Sequence, residues 1–99
     1  MEFEWDENKN LANIAKHGIH FELACLVFGD PYHLVTFDQT IGNEEHWRAI
    51  GNIEGHRLLV VAHTYRNKDD AEVIRIISAR RAIPRERRLY DNRLKMLNL

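Results

Sequence analysis

From Tyr32 onward the chain settles into a period of two and holds it through four runs: Tyr32 to Phe37, Trp47 to Ile53, His56 to Arg66 and Glu72 to Arg80. Successive side chains of a strand leave on opposite faces, so this period selects β structure. Clusters rich in Asp, Asn and Gly separate the runs at 38–43, at Glu54-Gly55 and at 67–70, and such residues favour turns. Connections this short join antiparallel neighbours, because a parallel pair needs a crossover of about a dozen residues or more. An antiparallel four-stranded sheet is therefore expected, with hairpin loops at Ile53 to His56 and Arg66 to Ala71.

The flanks read as helix. Glu2 to Trp5 is a short strand or an extended lead-in, and Asp6 is an N-cap candidate whose carboxylate can take the free N–H groups of a first turn. A helix follows to His17 with Leu11, Ile14 and Ala15 at helical spacing, and Gly18 stands where a left-handed C-cap is wanted. A second short helix begins near His20, turns Phe21, Ala24, Cys25 and Phe28 inward, and stops at Gly29-Asp30-Pro31. Pro84 can open a C-terminal helix whose Tyr90, Leu94 and Leu97 share a face. The fold class is α+β: two N-terminal helices, four antiparallel strands and one C-terminal helix. Ninety-nine residues suffice for one core, so residues 1–99 are expected to form a single domain.

Several classes fall away. No run approaches the roughly 18 apolar residues of a membrane helix, and Met1 to Glu4 lacks the basic start of a secretory signal, so a cytoplasmic location is expected. Cys25 is the lone cysteine and reads as a small apolar filler. No Gly-rich phosphate loop occurs, and His20, His33, His46 and His56 have no zinc-like spacing, so neither cofactor nor metal is expected.

Charge is distributed unevenly. The net is −1, yet residues 1–50 hold three Lys or Arg against nine carboxylates, and residues 51–99 hold eleven against six. One face can be strongly basic on a nearly neutral molecule, a footprint suited to nucleic acid or an acidic partner. The basic residues crowd Val73 to Tyr90, where Arg75, Arg80, Arg81, Arg85, Arg87 and Arg88 follow an apolar strand. Guanidinium matches phosphate geometry. The competing reading is a solvated helix face.

On the third run Leu59, Val61, His63 and Tyr65 share one side, and Leu58, Val60, Ala62, Thr64 and Arg66 the other. On the fourth, alternation groups Ile74, Ile76, Ser78 and Arg80 against Val73, Arg75, Ile77, Ala79 and Arg81. Register decides which sides coincide. One face could gather Arg48, Arg66 and Arg75, or else His63, Ser78 and Arg80. Such a set can cut RNA, whose 2′-hydroxyl is a built-in nucleophile. His63 and His17 are the acid/base candidates, with Glu86 and Tyr90 behind them. Against these stand a backbone-bonded strand histidine at His63, a helix-capping one at His17, and simple bracing of the last helix by Glu86 and Tyr90. Ser78 lacks the G-x-S-x-G setting of a nucleophile.

Three blocks in order, FEWDENKNLANIAKHGIHFELA, RLLVVAHTYR and VIRIISARRAIPRERRLY, resemble the BrnT toxins of bacterial type II toxin–antitoxin systems, and the likeness spans nearly the whole chain. The resemblance implies a RelE-like fold, degradation of RNA with arrest of translation, and neutralisation by a BrnA-like antitoxin that alone brings the complex to DNA. On it Arg48, Arg66, Arg80, His63 and Glu86 are the expected catalytic groups, and Lys16, His17, Arg75, Ser78 and Tyr90 the expected RNA contacts. The alternatives are a module that binds RNA or an antitoxin without cutting, and a regulatory subunit whose basic helix anchors the antitoxin.

Overall fold

A computed structural model describes residues 1–55 and 57–98, so His56, the expected strand start and end of the hairpin loop, and Leu99 lie outside the described residues. The elements run β1 (Glu2–Glu4), α1 (Glu7–His17), α2 (Phe21–Ala24), a 3-10 turn (Cys25–Gly29), β2 (Leu34–Ile41), β3 (Glu44–Ile53), β4 (Arg57–Lys68), β5 (Ala71–Arg81) and α3 (Pro84–Met96). The class is α+β with three helices, and none of them is long and apolar enough to cross a membrane.

The sheet has five strands in the order β1-β5-β4-β3-β2, not four, and it is mixed. The four long strands pair antiparallel, while β1 lies parallel to β5 with Phe3 opposite Ile74. The short-loop rule could not find this pair, since nearly the whole chain separates its members. β1 covers a β5 edge that would otherwise expose a row of unpaired backbone groups. The loop expected at 38–43 is also mostly strand: β2 reaches Ile41, and Gly42-Asn43 alone make the turn, with Gly42 at φ +64°. A positive φ suits a tight hairpin and costs glycine little. The polar residues Asp38, Gln39 and Thr40, the last two exposed, hide the period.

α1 starts as anticipated, with Asp6 Oδ1 accepting from the N–H groups of Asn8 at 2.8 Å and Lys9 at 3.3 Å. Its end is a Gly18 cap at φ 71°. Its inward face is not the apolar one expected. Leu11 is 57% exposed, and Asn10 and Asn13 are buried. The Asn13 amide donates to the carbonyls of Ile19 and Ala79 and accepts from the Ala79 N–H, while Asn10 Oδ1 accepts from the Phe21 N–H. These bonds satisfy the buried amides and lock α1 to β5.

One side of the sheet carries Ala49, Ile53, Leu59, Val61, Ile74, Ile76 and Ala79 against Ile19, Phe21, Ala24 and Val27. The other carries Ile50, Leu58 and Val60 beneath Tyr90, with Leu34, Ala82 and Leu94 alongside. Ile74, Ile76 and Ala79 share a side because β5 bulges: Ala62 faces Ser78 and His63 faces Ile76, which leaves Ile77 unpaired. One extra residue moves everything beyond it to the opposite face. Strict alternation therefore misassigned Ser78 and Arg80 relative to Ile74 and Ile76.

Candidate functional site

A second bulge interrupts β2, where Phe37 faces Trp47 and Gln39 faces His46, leaving Asp38 unpaired. The two bulges stand on opposite walls of a cleft of about 260 Å³ lined by Asp38, His46, Arg48, Ala62, Ser78 and Arg80 among others. Its floor follows from register: Arg48 faces Ala62 across β3 and β4, and Ala62 faces Ser78 across β4 and β5. A bulge re-aims side chains beside a site.

Each guanidinium in the cleft is held by a carboxylate. Arg48 lies 2.9 Å from Asp38, the unpaired residue of the β2 bulge. Arg80 donates from both terminal nitrogens to Glu86 at 2.8 Å and 2.8 Å. Glu86 sits in the first turn of α3 and also accepts from the Ile83 N–H at 2.9 Å, so it caps the helix while gripping Arg80. The Arg80 bonds, with help from the Ile83 N–H and the nearby Arg48 charge, hold the Glu86 carboxyl below the usual range against the effect of burial. The same bonds raise the Arg80 value. Glu86 is thus a fixed anion, suited to positioning Arg80 and unsuited to shuttling a proton. A guanidinium pinned in this way keeps unused N–H donors at a set orientation, the arrangement that stabilises developing negative charge without reorganisation.

Arg48, Ser78 and Arg80 line this cleft, Glu86 joins them through its bonds to Arg80, and the other expected site residues do not reach it. His63 is fully buried on the opposite side of the sheet, edge-on to Phe28 and Tyr65 at centroid distances of 5.0 Å. Its Nδ1 lies 3.1 Å from the Val61 carbonyl, which can only accept, so Nδ1 carries the proton and Nε2 accepts from the Tyr65 hydroxyl at 3.1 Å. Burial keeps this imidazole neutral by lowering its pKa. Arg66 and Arg75 turn instead to Glu4 of β1, at 3.5 Å and 2.6 Å. Tyr90 is buried and donates its hydroxyl to Asp30 Oδ2 at 2.6 Å, and burial together with that carboxylate pushes the phenol far above its ordinary value. Lys16 and His17 line a neighbouring cleft of about 430 Å³, and Ser78 and Arg80 reach it too. Burial pushes the Cys25 thiol up to about 11, away from the thiolate form.

His46 and Asp38 were not singled out by the sequence reasoning. A signal for His46 existed: it precedes Arg48 by two residues on one strand, so the two share a face. No such signal marked Asp38, because a bulge leaves no trace in the alternation of a polar stretch. Among the described residues no three His, Cys, Asp or Glu side chains are grouped to hold a metal ion.

Residues 5–86 match the sequence profile of a family described as the ribonuclease toxin, BrnT, of type II toxin–antitoxin systems. Among solved structures, the 1.1 Å crystal structure of the Brucella abortus ribonuclease toxin BrnT is similar, with a TM-score of 0.60 and 30% sequence identity over 84% of this chain and 97% of that one. No curated protein matches the sequence. The profile covers most of the chain and runs from the strand-to-helix start to Glu86, the partner of Arg80: the chain belongs to the BrnT family of type II toxin–antitoxin ribonuclease toxins.

Proposed function

We propose that this protein cleaves RNA in the cleft between β2 and β5, without a metal ion, by attack of the 2′-hydroxyl on the adjacent phosphate. The observation that carries the proposal is the convergence of Arg48, Arg80 and His46 on one cleft, with each guanidinium braced by a carboxylate. Arg48 and Arg80 bind the phosphate and stabilise the charge that builds on it. His46 takes the 2′-hydroxyl proton, since imidazole is the side chain suited to proton exchange near neutral pH. A 2′-oxygen–phosphorus bond forms, the bond from phosphorus to the 5′-oxygen breaks, and that oxygen leaves with a proton from water. Asp38 and Glu86 are positioning residues that act through the arginines.

A ribonuclease toxin of a type II toxin–antitoxin system has an antitoxin partner and an RNA substrate. For this chain we assign a BrnA-like, DNA-binding antitoxin and a cytoplasmic site of action, with arrest of translation as the outcome. Purified protein incubated with single-stranded RNA in excess chelator should release fragments ending in 2′,3′-cyclic phosphate, and a 2′-deoxy substitution at the cut site should block scission. Arg80→Ala should cut at least about a hundredfold more slowly, the usual cost of losing one charge-stabilising donor. Retention of RNA without cutting would favour a binding module instead, and cutting that stops in chelator would end the metal-free mechanism.

A further inference from the structure

The Arg48 cleft and the Lys16 cleft adjoin, because Ile77, Ser78 and Arg80 line both. The β5 bulge makes that shared lip, with Ile77 unpaired and Ser78 shifted to the Arg48 side. Beyond the lip the second cleft runs along α1, where Lys9 and Lys16 follow one another with His17 beside the Gly18 corner. At 1.5 Å per residue the two lysines are spaced roughly 10.5 Å along the helix axis.

The electrostatics of the two clefts differ. Asp38 lines the Arg48 cleft, and Glu44 and Glu45 line the hollow beside Trp47 and Tyr65. Among the described residues no carboxylate lines the second cleft, and neither Lys9 nor Lys16 has one within 4.0 Å. Isolated surface lysines are ordinary. These are placed differently: they prolong a cleft whose other end holds Arg80. They are also fixed relative to it, since Asn13, between them on α1, exchanges hydrogen bonds with the backbone of Ala79 at 2.9 Å and 3.1 Å, next to Arg80.

We propose that this second cleft holds the backbone phosphates flanking the scissile one, so that an RNA strand passes over Ser78 and lies along α1 against Lys9 and Lys16. The inference rests on the cleavage reading for which phosphate is cut, while the backbone contact itself does not depend on cutting. Ammonium groups act as point charges that grip a backbone without reading bases, so the track confers length dependence and salt dependence and no sequence preference.

The test uses a short single-stranded 2′-O-methyl RNA, which cannot be cleaved by 2′-hydroxyl attack, with binding followed by fluorescence anisotropy across a salt series. Lys9→Gln/Lys16→Gln should bind more weakly and should flatten the slope of log K against log salt by about 1.4, two contacts at about 0.7 each for a single strand. Lys68→Gln, at the exposed end of β4, controls for loss of a lysine outside the track and should leave the slope unchanged. An unchanged slope in the double variant, or an equal change in Lys68→Gln, would overturn the proposal. Wild-type protein that shows the lysine-dependent slope yet cuts no RNA would remove the cleavage reading and leave the second phosphate track standing.

Discussion

Replacing Tyr90 by Phe separates a structural role for this residue from an RNA contact. The ring stays, so its packing on Ile50, Leu58 and Val60 persists, and the change deletes one hydroxyl that donates to Asp30 at 2.6 Å. A bond to a charged acceptor contributes about 1.5 to 3 kcal/mol. Asp30 keeps two donors, the N–H groups of Asn52 at 2.7 Å and Tyr32 at 2.9 Å, so the carboxylate is weakened and not orphaned. For a domain of this size the loss corresponds to a fall in Tm of about 6 to 24 °C, at about 4 to 8 °C per kcal/mol. The pH dependence supplies an independent check. Burial pushes the Asp30 carboxyl up, but its bonds from Asn52, Tyr90 and Tyr32 together bring it below 3.8. A carboxyl lowered by folding contributes stability that is complete above its unfolded value and is lost as pH falls through the folded one. Tyr90→Phe removes one source of that lowering, so the gap between wild type and variant should be full at neutral pH and should close as pH drops below 3.8. Urea melts by circular dichroism from neutral pH into acid measure it. A neutral-pH loss below about 0.5 kcal/mol, the scale of an inert surface change, or a gap that ignores pH would refute the reasoning. Loss of RNA cleavage by fully folded variant would return the Tyr90 hydroxyl to the site.

Other outcomes follow from the same contacts. Gly51→Ala should cost about 1 to 3 kcal/mol by overpacking, because a Cβ there would meet Val27 Cγ1 at 2.8 Å and the Val27 carbonyl at 2.9 Å; an unaltered urea midpoint would show that the 3-10 turn yields freely. Glu86→Gln should lower kcat more than it raises KM, since it loosens Arg80 without removing a phosphate contact, and steady-state kinetics on a defined RNA would detect the split. It should also cost about 1 to 3 kcal/mol at neutral pH, a difference that shrinks as pH falls below 4.5, because wild-type Glu86 loses its own contribution there. His63→Leu should leave cleavage by folded protein intact and flatten the fall of stability below pH 6.5, where the unfolded chain takes up a proton that the buried wild-type imidazole resists; an acid limb that stays as steep would place the proton uptake elsewhere.

Local rules carried far in this chain. Asp6, Gly18 and Pro84 punctuate helices because their effects act through backbone groups within a turn. The apolar runs in 47–53, 57–66 and 72–76 declare strands, and at the centre of the sheet both faces are covered, so that Leu58 to Val61 are buried in succession. The inward amides of α1 escaped such rules, since Asn10 and Asn13 are polar and find their partners on Ala79 and Phe21, remote in sequence.

Residue chemistry and short-range period determined which side chains were candidates: the arginines of β3 to β5 and the lysines of α1 are visible as letters. Which of them meet was decided only in three dimensions. Two single-residue bulges, at Asp38 and Ile77, reset the alternation of β2 and β5, bringing Asp38, Ser78 and Arg80 to the Arg48 and His46 that β3 already places together, while His63 stays sealed on the other side. A bulge arises from how one strand must curve against its neighbour, and that constraint belongs to the assembled sheet, so no local stretch of the chain announces it.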